Sequence, residues 1–226
     1  MRTRIAVWTA IAALAALGWG CSLPEGASKA SEAAAAPAEP TKAMEKTLSP
    51  NPSGNGKAGA KPVVVIETSM GTIKAELWAD KAPQTVENFL KYADERFYDG
   101  TIFHRVISGF MIRGGGFTPA MQQKRAGPPV KNEARADAPN ARGTLAMART
   151  SDPHSASAQF FVNLVDNGFL NFRSATAQGY GYCVFGKVIE GMDVVDKIAK
   201  VATATRGPSE NVPVQPVEIK SIQRAK

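Results

Sequence analysis

Phe103-His104-Arg105-Val106-Ile107-Ser108-Gly109-Phe110-Met111-Ile112-Arg113-Gly114-Gly115-Gly116-Phe117 sets Arg105 among apolar and aromatic residues that alternate as in a strand. Arginine stays charged at any ordinary pH, so it cannot act as a general acid or base. It offers hydrogen-bond donors and a fixed positive charge. A guanidinium beside an apolar surface suits chemistry in which a polar group is stabilised without proton transfer.

Outward from this stretch the chain reads as mostly β. Val63–Thr68 is a β-branched run, Ser69-Met70-Gly71 a turn and Thr72–Trp78 an alternating strand, which together predict a hairpin. Asp80-Lys81-Ala82-Pro83 is a helix start with proline in the first turn. Val86, Phe89, Leu90, Ala93 and Phe97 then fall on one helical face. Strands are predicted at Thr101–Val106, Phe110–Arg113, Thr144–Ala148, Phe160–Leu164, Cys183–Val188 and Val214–Ile222, and a second helix at Gly191–Lys200. Gly115–Arg142 is a long excursion rich in glycine, proline and charge. Many short strands with two helices predict a small barrel capped at its ends.

The opening stretch resembles the signature of cyclophilins, the peptidyl-prolyl isomerases, and in particular the periplasmic bacterial subgroup. The resemblance runs from about Pro62 to the C-terminus. It includes Asn140-Ala141-Arg142-Gly143-Thr144-Leu145-Ala146-Met147-Ala148-Arg149, Ser157-Ala158-Gln159-Phe160-Phe161-Val162-Asn163 and Tyr182-Cys183-Val184-Phe185-Gly186-Lys187-Val188. It implies a closed eight-stranded antiparallel barrel capped by two α-helices, with a packed interior and the active groove outside. By the same resemblance Arg105 is the catalytic guanidinium. Phe110, Met111, Phe161 and Leu170 would line a proline pocket, and Gln159 would hydrogen-bond the substrate backbone. Ala148 and Arg149 would lie where the peptide docks, and Phe169 and Tyr182 would finish the rim. No cofactor and no metal is implied.

Several positions depart from the family pattern. Arg113 stands where cyclophilins commonly have Gln, so a second cation is expected near Arg105, either repelling it or donating to the substrate carbonyl. Phe169 replaces the Trp of eukaryotic members that contributes to cyclosporin binding. Tyr182 replaces their His and Arg149 their Asn, as in the bacterial subgroup. Ser108 replaces the usual Pro. Arg113 keeps open a rival reading, a membrane-tethered peptide-binding or chaperone module with little turnover.

The 226 residues suit one domain with accessory segments. The net charge is +7, and +5 without Arg2 and Arg4 of residues 1–20. The basic residues are scattered, whereas nucleic-acid binding would cluster them on one face. A basic start followed by the apolar run Ile5 to Gly20 reads as a secretory signal, 16 residues being short for a membrane span. Its end, Leu17-Gly18-Trp19-Gly20-Cys21-Ser22, resembles a bacterial lipoprotein signal with lipidation at Cys21, although Gly18 stands where Leu is usual. The alternative is ordinary signal cleavage, for instance within Ala33–Ala36, releasing a soluble protein. Residues 21–61 read as a linker: with almost no large apolar residue they cannot build a core. The domain is thus expected at residues 62–226, exported, periplasmic and monomeric, anchored by lipid. Its partners would be proline-containing peptides and unfolded envelope proteins.

Other motifs read as structural. Gly114-Gly115-Gly116 lacks the Lys-Ser/Thr that follows a phosphate-binding loop and reads as a turn. Asp152, His154 and Ser155 are too close in sequence to suggest a triad, which is recognised by spatial roles. His104 reads as a packed residue beside the groove. Cys183, in an apolar run and without a partner once Cys21 is lipidated or removed, reads as a buried core thiol.

Overall fold

The computed structural model describes residues 61–225. The signal segment, Cys21 and nearly all of the linker lie outside them. The strands are β1 (Val63–Thr68), β2 (Gly71–Leu77), β3 (Thr101–Ile107), β4 (Met111–Gly114), β5 (Thr144–Met147), β6 (Phe160–Asn163), β7 (Val184–Glu190), β8 (Thr203–Arg206), β9 (Ser209–Pro213) and β10 (Glu218–Arg224). Helix α1 spans Pro83–Asp94 and α2 spans Met192–Ile198. Eight strands close a barrel in the order β1-β10-β3-β4-β6-β5-β7-β2, every pair antiparallel. The expected closed barrel with two helices is the observed fold.

Alternation explains which side chains fill it. Ile73, Ala75 and Leu77 of β2, Leu145 and Met147 of β5, and Phe160 and Val162 of β6 all enter the main core. Each set is spaced by two residues, as a strand with one face inward requires. Helix α1 closes one end. Its Phe89 ring meets Tyr98 at 5.2 Å, Phe160 at 5.5 Å and Phe185 at 5.0 Å. Pro83 begins α1 as the sequence predicts, and Ala82 supplies no side-chain cap. The orphan N–H groups turn instead to Glu133 in the long excursion. The backbone N–H groups of Gln84 and Thr85 donate to its carboxylate at 3.2 and 2.8 Å. A carboxylate there also complements the helix dipole.

Three elements differ from the sequence expectation. Helix α1 ends at Asp94, and Phe97 lies in the following turn, where it still packs on Tyr92 at 4.8 Å. The final strand begins at Glu218 rather than Val214, beyond Pro216, whose missing N–H cannot serve a ladder. The β8–β9 hairpin was not foreseen, because β8 is exposed at every residue and carries no apolar alternation.

Phe160 should be costly to lose, since it is fully buried and contacts Phe89, Tyr98 and Phe103. Phe160→Ala is expected to lower the unfolding free energy by about 3–5 kcal/mol, read from urea denaturation.

Candidate active site

The opening stretch folds as β3, a turn and β4. Phe103 and Val106 both enter the main core, although three residues apart. Strict alternation forbids that, and a bulge resolves it. Phe103 pairs with Gly114, but the next pair is Arg105 with Arg113, so β3 carries one extra residue. The bulge turns Arg105 outward, directly opposite Arg113. The row continues across the sheet, Arg113 pairing with Phe161 and Phe161 with Ala146.

These outward residues build a second, smaller apolar cluster. Met111, Ala146, Ala148, Phe161, Leu170 and Val184 are buried in it, with Phe110 and Tyr182 packed on its edge. Its open face is a pocket lined by Arg105, Phe110, Met111, Arg113, Ala148, Arg149, Phe161, Leu170 and Tyr182. All the residues the sequence nominated for the groove converge there except Gln159 and Phe169. Gln159 is turned along the surface toward Arg113, whose Nε and Nη2 donate to its Oε1 at 3.0 and 2.6 Å. Phe169 is 63 % exposed and stacks on Phe110 at 5.6 Å, outside the lining.

The triple glycine serves this arrangement. Gly115 has φ +79°, and a Cβ there would lie 2.9 Å from Phe160 and Tyr98. A Cβ on Gly116 would stand 2.4 Å from Cγ of Gln159, so only glycine lets Gln159 lie flat and reach Arg113.

The charges are unusual. Like charges directly opposite on neighbouring strands destabilise a sheet. Arg105 and Arg113 are nonetheless half-buried, and neither enters an ion pair among the described residues. Burial, and then the Arg105 charge, press the Arg113 guanidinium below its ordinary pKa. His104 packs on Phe117 at 4.5 Å. Burial, followed by the Arg113 charge, lowers its imidazole to about 3. Its Nδ1 is buried and finds no hydrogen-bond partner among the described residues. Across the pocket, Arg149 donates to the Gly181 carbonyl at 2.9 Å and lies over the Tyr182 ring at 4.6 Å.

A set of asparagines that sequence reasoning did not single out supports the rim. Asn167 donates to Asn163 at 2.7 Å and to the Phe110 carbonyl at 3.0 Å. Asn163 donates to Thr144 at 2.9 Å. Asn140 donates to the Leu170 carbonyl at 3.0 Å. Asn140, Asn163 and Asn167 are all buried. A buried Asn must be paired; here Asn163 links Thr144 and the other two asparagines, while Asn167 and Asn140 reach the backbone carbonyls of the pocket residues Phe110 and Leu170. The signal available in the sequence was three asparagines flanking strand ends.

The remaining motifs are structural. His154 Nδ1 accepts the Asn132 backbone N–H at 3.2 Å, and Asp152 accepts the His154 backbone N–H at 2.9 Å. Ser155 donates to the Asp152 carbonyl at 2.7 Å. No Asp–His–Ser relay is formed. Cys183 is buried, and burial raises its thiol to about 11.

The structure is thus a packed antiparallel barrel with an apolar pocket on its outer wall, edged by an outward guanidinium. The sequence profile described as "Cyclophilin type peptidyl-prolyl cis-trans isomerase/CLD" matches residues 63–224. Peptidyl-prolyl cis-trans isomerase B of Escherichia coli is 58% identical over 160 residues, covering 71% of this chain and 98% of the relative. The peptidyl-prolyl cis-trans isomerase of Acinetobacter baylyi is 56% identical over 164 residues, covering 73% and 86%. Among solved structures, a Cryptosporidium parvum cyclophilin-type isomerase crystallised in the presence of the dipeptide Ala-Pro aligns with TM-score 0.61 and 28% identity, over 73% of this chain and 99% of that one. The chain belongs to the cyclophilin-type peptidyl-prolyl cis-trans isomerases and is an enzyme of that family.

The neutral His104 has a consequence for stability. Its folded pKa lies below the ordinary 6.5, so between pH 6.5 and about 3 the unfolded chain takes up a proton that the folded one refuses. Stability is therefore retained above 6.5 and lost as pH falls through this window, by about 1.4 kcal/mol per pH unit. His104→Gln should flatten the slope between pH 6.5 and 4.5 in urea midpoints. An unchanged slope would mean that His104 titrates normally.

Proposed function

We propose that the protein accelerates X-Pro isomerisation in exported proteins, with Arg105 as the catalytic residue and the adjoining apolar pocket as the proline site. The observation that carries this reading is the juxtaposition of a half-buried guanidinium, in no ion pair among the described residues, with a pocket floored by Met111, Phe161 and Leu170.

The X-Pro bond has partial double-bond character, and its uncatalysed isomerisation takes about 10–100 s. Catalysis requires that the twisted amide be favoured over both planar forms. On twisting, the proline nitrogen loses conjugation, becomes pyramidal and gains a lone pair. With the ring seated among Met111, Phe161 and Leu170, a guanidinium N–H of Arg105 aimed at that nitrogen stabilises the twist alone. This is a preorganised electrostatic contribution. No bond is made or broken and no proton moves. Arg149 and Ala148 supply the edge along which the peptide backbone lies. Gln159, its Oε1 committed to Arg113, keeps its amide N–H groups for a substrate carbonyl.

The binding-module alternative is not favoured, since Arg113 is anchored on Gln159 and stays clear of a salt bridge that would close the pocket. In purified protein, Arg105→Ala should reduce kcat/KM on a short Ala-Pro peptide by about 100-fold or more. Peptide affinity should change far less. Retention of full turnover by this variant would overturn the role of Arg105. Since His104 stays neutral above about 3, its titration should leave the rate unaltered from pH 5 to 9.

The basic start, the apolar run after it and Cys21 support a periplasmic, lipid-anchored protein acting on envelope proteins as they fold, where slow prolines limit the rate. Cys21→Ser should move the protein from the membrane to the soluble fraction of fractionated cells. Unchanged fractionation would defeat the lipid anchor.

A further inference from the structure

A polar cleft adjoins the proline pocket and shares Arg105 and Arg113 with it. Its other walls are His104, Phe117 and the β8–β9 hairpin residues Pro208, Ser209 and Glu210. The two guanidinium groups stand on paired residues of β3 and β4. Gln159 accepts two hydrogen bonds from Arg113 but carries no charge, so it positions that cation without neutralising it. The rest of the Arg113 fork, and all of Arg105, form no ion pair among the described residues. His104 is neutral at ordinary pH and adds nothing. The one carboxylate in the wall, Glu210, is exposed and pairs with neither arginine. The cleft therefore holds two adjacent, partly desolvated cations whose mutual repulsion an incoming anion would relieve. Charge-assisted hydrogen bonds to guanidinium are among the stronger ones, and half-buried pairs are screened less than surface pairs.

We propose that the Arg105–Arg113 pair makes this enzyme selective for X-Pro segments that carry an acidic side chain next to the proline, its carboxylate docking in this cleft. Arg113 is then a specificity-determining residue, and Glu210 a competing carboxylate that weakens the preference. A neutral side chain gains nothing there and a cationic one is repelled, so the discrimination has both an attractive and a repulsive part. The inference rests on the isomerase reading of the adjoining pocket.

The test is kcat/KM of the purified protein on peptides built around Ala-Pro, with Glu, Gln or Lys placed in turn at each flanking position. At one position Glu should exceed Gln by about tenfold at low ionic strength, and Lys should fall below Gln. The Glu:Gln ratio should collapse towards one at high salt and in Arg113→Gln. It should survive in part in Arg113→Lys and rise in Glu210→Gln. Should Arg113→Gln fail to fold, the salt dependence of the wild-type ratio and the Glu210→Gln effect decide the matter. Equal turnover of Glu and Gln peptides at every position, with the neutral Ala-Pro peptide still isomerised, would overturn this inference alone. So would a preference that persists in folded Arg113→Gln. Failure of the folded wild-type protein to turn over any peptide would overturn the isomerase reading beneath it.

Discussion

An eight-stranded barrel has an interior just wide enough for side chains to fill. Phe103, Phe160 and Phe185 are fully buried here, with Ile66, Ile73, Leu77, Ile112 and Leu145 around them. No ligand can enter such a centre, so binding must use the outer wall. The residues that bind are then the ones alternation sends outward from the strands whose other face packs the core. Phe161 lines the pocket because Phe160 and Val162 fill the barrel. Met111 does so because Ile112 points inward. The site and the core are two faces of the same strands.

One local irregularity turns this scaffold into a charged site. The extra residue in β3 reverses the parity between Phe103 and Val106 and delivers Arg105 beside Arg113. Two cations at paired positions oppose sheet formation. The cost is offset by the hydrogen bonds of Arg113 to Gln159, which the bare Gly116 makes room for. The same surroundings keep His104 uncharged, which leaves the electrostatics to the guanidinium groups. A reaction that twists a bond without transferring a proton is matched to such a site, because neither arginine changes its charge as the reaction proceeds.

Around the pocket, loops carry as much of the precision as strands. Phe110 and Leu170 sit outside the ladders, and their backbone carbonyls are held by Asn167 and Asn140. The long excursion between β4 and β5 has almost no regular structure, yet Glu133 caps α1 from within it. These are polar contacts at long sequence separation: Glu133 satisfies N–H groups that the helix start leaves unpaired, and the asparagines add a second donor to carbonyls that already accept a backbone N–H.

Periodicity exposed most of the barrel strands and both helices, because a half-buried strand or helix must repeat its apolar residues at a fixed interval. It missed the β8–β9 hairpin, which buries no face at β8, and it carried the first helix on to Phe97, which packs from a turn. The signature residues marked Arg105 and the apolar pocket beside it, since they follow one another on strands whose alternation is readable. The sequence by itself thus determined the class of fold, the apolar floor of the pocket and the guanidinium beside it. Only the tertiary structure decided that Arg105 faces Arg113 through a bulge, that Gln159 is committed to Arg113, that Phe169 stands outside the pocket and that Glu210 closes a cationic cleft. Each of those facts joins residues from different elements, and periodicity records only the face a residue takes within its own.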